Sequence, residues 1–375
     1  MTHRRRLVRR VTQAVVVAAL VGAGSPAMSR PPAHAADDGS SVVAVDARTQ
    51  HVLVVTAHHL SVLDARIGRL LRTTPLSEAE AAPSAMAIDE RTGRAFLTNP
   101  AANSVSVFDT GRGTLVRQAR VGAGPSALAV DEDTAQVFVA NTLGNSVSLL
   151  DARSGSLVRT VAVGRAPTAL GVDTRTQRVF VANINDTRVT VLDTARGAVL
   201  RSVVVGLSPA AMAVDAGTNH VFVASPGDNT VSMLDAMRGT LLHTVSVGRT
   251  PFAVAVDAGT DHVFVSNPGS NTVSLLDGHR GTVVRTIRVG ATPQAMAVDV
   301  RSGRVFVVNS GSNTVSVLAV ATSAVLRTVP VGMTPLRVAV DSKSGLTFVA
   351  NAHGHTVSVL DAPGGSLVQT TTVGA

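Results

Sequence analysis

Eight aspartates recur along this chain at a nearly fixed interval. Asp89, Asp131, Asp173, Asp215, Asp257, Asp299 and Asp341 stand 42 residues apart, and Asp46 precedes Asp89 by 43. A period of this length marks a chain assembled from copies of one supersecondary unit, which bury their apolar faces by stacking on each other. Within each copy, four apolar runs alternate with turn residues, as in Ser126 to Val130, Val137 to Ala140, Val147 to Leu150 and Leu157 to Val163. Runs this short, joined by short polar connections, read as an antiparallel four-stranded meander.

Four strands per repeat and eight repeats predict an all-β fold, an eight-bladed β-propeller of four-stranded antiparallel blades, with a seven-bladed ring as the alternative. The first strand of each copy is apolar on both faces, as expected of a strand packed between neighbouring blades. One face is small (Ala87, Ala129, Gly171, Ala213, Ala255, Ala297, Ala339) and the other carries Ile, Val, Met or Leu. Large faces can then pack on the neighbour's small faces. Sequence order places an inner strand first (Val42 to Val45) and an outer strand last (Leu367 to Val373), so blades 1 and 8 are expected to meet through side-chain packing alone.

The repeated polar residues have structural work to do. Each inner strand ends in Asp, with Thr or Ser three residues later, a pattern in which the carboxylate caps its own turn. Asn99, Asn141, Asn183, Asn267, Asn309 and Asn351 end the second strands, where Asn is expected to take a left-handed corner. In the Val-Gly-x-x-Pro loops, such as Val121 to Pro125, Gly is expected to supply a positive φ and Pro to set the path into the next inner strand. No helix follows these loops, which argues against a phosphate-binding role.

Charge is concentrated at the N-terminus. Residues 1–35 hold six arginines and no acid, leaving 27 basic against 25 acidic side chains in the rest of the chain. That balance, with aromatics at 2%, argues against nucleic-acid binding. The arginines of residues 4–10, the apolar stretch Val11 to Gly24 and the small-residue site Ala33-His34-Ala35 read as a secretory leader over 1–35, preceding a propeller over 36–375. General secretion is favoured over the twin-arginine route. The mature chain is expected to be extracytoplasmic, secreted or associated with the cell surface, with no transmembrane segment and as a monomer. It has no Cys, so neither disulfides nor thiolate ligands enter the account.

The segment Val305 to Leu318, VFVVNSGSNTVSVL, and the related FVAN and FLTN runs (Phe138 to Asn141, Phe96 to Asn99) resemble the YVTN-repeat β-propeller family, with Phe in place of the initial Tyr. The resemblance implies an extracytoplasmic propeller within a lactonase-like superfamily and brings no shared catalytic motif.

Function should appear where the repeat is broken. Arg337 stands where other inner strands mostly carry Ala, just inside the expected channel, and Arg337, Gln294 and Phe252 form the ligand-binding candidates. His58 and His59 share one turn of blade 1, and His353 and His355 the equivalent turn of blade 8. Imidazoles converging there would suit zinc, the one cofactor entertained. No catalytic residues are assigned. The leading expectation is a non-catalytic scaffold binding a protein, glycan or small ligand on one face of the disc. The alternatives are a lactonase-like hydrolase at the channel mouth and a haem-associated or redox domain.

Overall fold

The computed structural model describes residues 41–56, 58–77 and 83–374. The leader and the loop around Glu78 and Glu80 lie outside the described residues. Among those described, eight four-stranded antiparallel sheets each use four consecutive strands. Blade 1 comprises Val42–Asp46, His51–Thr56, His59–Asp64 and Leu70–Pro75, and blade 8 comprises Pro335–Asp341, Leu346–Asn351, Thr356–Asp361 and Leu367–Thr372. The inner strands of blades 8 and 1 adjoin, so the blades form a closed ring: an eight-bladed β-propeller. No described helix is long and apolar enough to cross a membrane.

Packing follows the predicted alternation of large and small faces. Blade 3 offers Ala127, Ala129 and Phe138 to Leu170, Val172 and Val179 of blade 4 in one buried cluster. A fully buried Phe marks the second strand of blades 2 to 8 (Phe96, Phe138, Phe180, Phe222, Phe264, Phe306, Phe348), and Leu53 takes that place in blade 1. Burying each such ring stabilises the fold by about 2 to 3 kcal/mol. The seam is packed in the same way, with Ala339, Phe348 and Ala350 against Val43, Val52 and Val54. Among the described residues, no strand is exchanged to lock it.

The inner-strand aspartates cap their turns as predicted. Asp46 Oδ1 accepts from the backbone N–H of Arg48 and Thr49 at 2.9 and 3.0 Å, and Asp131 Oδ1 does the same with Asp133 and Thr134. All eight are at most 2% exposed. The hydroxyl donates to the carboxylate at Thr176 and Thr260, at 2.7 and 2.9 Å.

Two expectations are corrected. The second-strand asparagines do not occupy left-handed corners; they lie buried in the ladder with negative φ. Asn309 Nδ2 donates to Thr314 Oγ1 at 3.1 Å and Ser316 Oγ at 2.9 Å, tying the second strand to the third. The left-handed residues are the later asparagines of the same turn: Asn103, Asn145, Asn229, Asn271 and Asn313. Each accepts through Oδ1 from a backbone N–H of the next blade's loop, at 2.7 to 2.9 Å. The Gly of Val-Gly-x-x-Pro is likewise not at positive φ. It is needed for close approach, because a Cβ on Gly290 would lie 2.6 Å from Asn309 Nδ2.

The outer strands carry a second staple. Arg159 Nη1 donates to the Arg196 carbonyl and Arg285 Nη1 to that of Thr322, each in the next blade's outer turn. At the seam, Gln369 Nε2 donates to the Ile67 carbonyl at 2.6 Å and Thr371 Oγ1 to that of Gly68 at 2.9 Å. Ring closure therefore reuses the kind of outer-strand contact seen between blades 1 and 2, where Thr74 Oγ1 donates to the Gly113 carbonyl at 3.1 Å, and between blades 3 and 4 and blades 6 and 7.

Candidate functional site: the upper mouth and the channel wall

The Val-Gly-x-x-Pro loops and the second-to-third-strand turns interlock on one face of the disc, here the upper face, as in the bonds from Thr142 N to the Gly124 carbonyl and from Gly144 N to that of Ala123. Each inner strand starts there. The residue five before the conserved Asp opens the strand, and in blades 3, 4, 7 and 8 the ladder register shifts across it. A bulge re-aims the side chain it carries.

That position divides the ring. Blades 1 to 4 carry Ser41, Ser84, Ser126 and Thr168, of which Ser41, Ser126 and Thr168 are buried. Ser126 Oγ meets Thr142 Oγ1, and Thr142 Oγ1 donates to the Pro167 carbonyl at 2.7 Å, whereas Ser41 Oγ and Thr168 Oγ1 are buried without a hydrogen bond among the described residues. Blades 5 to 8 carry Ala210, Phe252, Gln294 and Leu336, all half-buried. Phe252 stands just outside its ladder, its N–H donating to the Ser266 carbonyl at 2.9 Å. Gln294 Oε1 is buried and accepts no hydrogen bond from the described residues.

The channel wall has the same asymmetry. In blades 3 and 4 the mid-strand residues Ala127 to Ala129 and Ala169 to Gly171 are buried. In blades 6 and 7, Ala253 to Ala255 and Ala295 to Ala297 are accessible. Mid-strand residues are covered by neighbouring blades on both faces and by the second strand on one edge, so their exposure is toward the lumen. Sequence reasoning found Phe252 and Gln294 but missed this wall. No one substitution signals it: Val254 is shorter than Met86, Leu128, Leu170 and Met212 of other blades, but blade 7 carries Met296 at the same position and its wall is equally accessible.

Arg337 is only 8% exposed and does not line the open channel. It lies opposite Ala350, on the same strand face as Ala339, which packs against blade 1. Its Nη1 donates to the Leu336 carbonyl at 3.2 Å, and burial lowers its guanidinium pKa to about 10. Arg337 thus belongs to the seam beneath the mouth.

The four histidines sit on the upper face in the two turns flanking the seam. His58 and His353 are exposed, and His59 and His355 half-buried. His353 Nδ1 meets Thr334 Oγ1 at 2.9 Å, and His355 takes the left-handed place (φ 46°) that Asn holds elsewhere. Among the described residues, no three His, Asp or Glu side chains gather as metal ligands.

No protein-family model and no curated protein sequence matches the chain. Among solved structures, the chain is similar to dihydro-haem d1 dehydrogenase NirN in complex with DHE, with a TM-score of 0.72 and 16% identity over 96% of this chain and 78% of that one. It is also similar to Kuenenia stuttgartiensis hydrazine synthase, with a TM-score of 0.60 and 18% identity over 72% of this chain and 92% of the other. The likeness is one of fold. It accounts for the disc and leaves the mouth to be read from its own residues.

Proposed function

We propose that this chain is an exported, non-catalytic binding scaffold that holds a small ligand at the upper mouth of its channel, on the side of blades 5 to 8. One observation carries the reading: a position held by hydroxyl side chains in blades 1 to 4, three of them buried, becomes Phe252, Gln294 and Leu336, half-buried, in three consecutive blades. A rigid ring with a locally varied rim is a common arrangement for recognition. The varied side chains are an aromatic, an amide and an aliphatic, which favour apolar contact and hydrogen bonding over proton transfer or nucleophilic attack. The YVTN-like repeats and the N-terminal leader support an extracytoplasmic setting.

The test is a thermal-shift panel of aliphatic, aromatic, sugar and anionic small molecules on the wild type and on a Phe252→Ala, Gln294→Ala double variant. At a ligand concentration of 100 Kd, binding raises stability by about 2.7 kcal/mol. Shifts confined to the wild type support the mouth. Equal shifts in both proteins, or turnover of a lactone or ester panel, would overturn the reading.

The likeness to NirN supports a haem-associated reading as the second one. A haem needs an axial ligand such as imidazole. His58 and His353, exposed on the upper face, have the right chemistry, whereas residues 253–255 and 295–297 of the wall supply none. Visible absorption of the purified protein, before and after adding haemin, distinguishes the readings; a Soret shift lost in His353→Ala would favour haem.

A further inference from the structure

We propose that the lumen wall of blades 6 and 7, below Phe252 and Gln294, is a slot for an uncharged apolar small molecule carrying one N–H or O–H donor. The proposal rests on the reading of the upper mouth as the binding side and names its ligand class. Three inner strands carry Val at the third position before the conserved Asp: Val43, Val254 and Val338. Val43 and Val338 are buried, in the two blades whose junction also receives Arg337. Val254 packs toward blade 5, against the cluster of Ala211, Ala213 and Phe222, and Ala255 and Met296 pack between blades 6 and 7, yet Ala253, Val254, Ala255, Met296 and the neighbouring alanines of blade 7 all remain partly accessible.

The occupant follows from the wall. Inner strands surround the lumen on all sides, so a folded partner cannot reach mid-strand residues, whereas a slender or flat molecule can. Residues 252–255 and 294–297 carry no charge, and an ionic ligand would lose its hydration there without compensation. Gln294 is half-buried at the upper end of the slot, and its Oε1, which accepts no hydrogen bond from the described residues, is stabilised when its amide rotates to meet a donor in the lumen. Phe252 and Met296 supply an aromatic face and a polarisable thioether, groups that adapt to flat apolar rings.

N-phenyl-1-naphthylamine has the required character: uncharged, apolar, and with one N–H. Its fluorescence titration on the whole mature protein should saturate near one site per chain. Val254→Met adds bulk to the blade 6 wall with the residue that Met86, Met212 and Met296 already place at this position, so the ring should fold, and the narrowed wall should weaken binding at least tenfold. Gln294→Leu should weaken it about fivefold, the worth of one neutral hydrogen bond. Circular dichroism and melting temperature confirm that each variant is folded.

Wild-type affinity in a folded Val254→Met protein would overturn the slot, as would no saturable signal in the wild type. A stoichiometry near eight would also overturn it, because it would place the probe on the exposed apolar pairs of the outer strands, such as Leu157 and Val158. If the slot fails while the panel still gives shifts lost in Phe252→Ala, Gln294→Ala, only the ligand class is wrong. If both fail, the mouth is not a site.

Discussion

Replacing Asn309 by Ala tests whether the second-strand asparagines hold the blades together. Asn309 is fully buried, and its amide donates to Thr314 Oγ1 and Ser316 Oγ while forming the platform on which Gly290 of the preceding blade's loop rests. Ala removes two neutral hydrogen bonds, each worth about 1 kcal/mol, and leaves a void the size of an amide. Ser316 Oγ keeps the Gly290 N–H at 3.3 Å, so it is not wholly orphaned. The net loss is expected to be about 2 to 4 kcal/mol, or a fall in melting temperature of about 4 to 8 °C at about 2 °C per kcal/mol for a chain this large. Asn309→Ser should cost less, because Ser225 holds the equivalent place in blade 5. Calorimetry gives the melting temperatures, and hydrogen exchange should show faster opening in the hairpin of residues 304–319. A change within about 0.5 kcal/mol, or a Ser variant as damaged as Ala, would refute the platform role.

Three further outcomes are expected. Asn271→Ala should destabilise by about 2 kcal/mol, since Ala loses the bond to Thr292 N and resists φ 54°, whereas Asn271→Gly, which accepts that φ, should lose only about 1; urea unfolding separates them. A Gln369→Ala, Thr371→Ala variant should speed hydrogen exchange in blades 1 and 8 with little change in blades 3 to 6, and uniform behaviour would remove the seam staple from the account. Burial and the charges of Asp89 and Glu90 hold the Glu132 carboxyl above its usual range, so the folded state binds the proton more tightly than the unfolded. Stability then falls as pH rises from the ordinary carboxylate value through the folded value, and Glu132→Gln should stabilise at pH 7 by up to about 1 kcal/mol but not at pH 4.

Much of the fold was legible because one constraint repeats. The aspartate spacing set the blade count, and the Ala-rich face opposite Leu, Met or Val announced how blades interlock. The errors fell where a residue acts across a blade boundary. Asn141 and Asn145 look interchangeable in one turn, yet the first lies in the ladder and the second reaches the next blade, a division that depends on register. Gly122 reads as a turn glycine, but its requirement comes from Asn141, which belongs to the next repeat. Arg337 was conspicuous in sequence, though its place at the seam emerges only when blades 8 and 1 are brought together. The channel wall was hardest to see, since blade 6 has Val254 where blade 7 has Met296 and both walls are accessible, so no one residue type announces the opening.

The most direct measurement is a xenon derivative of the crystallised protein, because xenon enters apolar cavities and its anomalous signal locates it without a chosen ligand. The account predicts a xenon peak in the lumen against Val254, Ala255 and Met296 in the wild type, and none there in Val254→Met. A wild-type lumen without xenon, or equal peaks in both proteins, would contradict it.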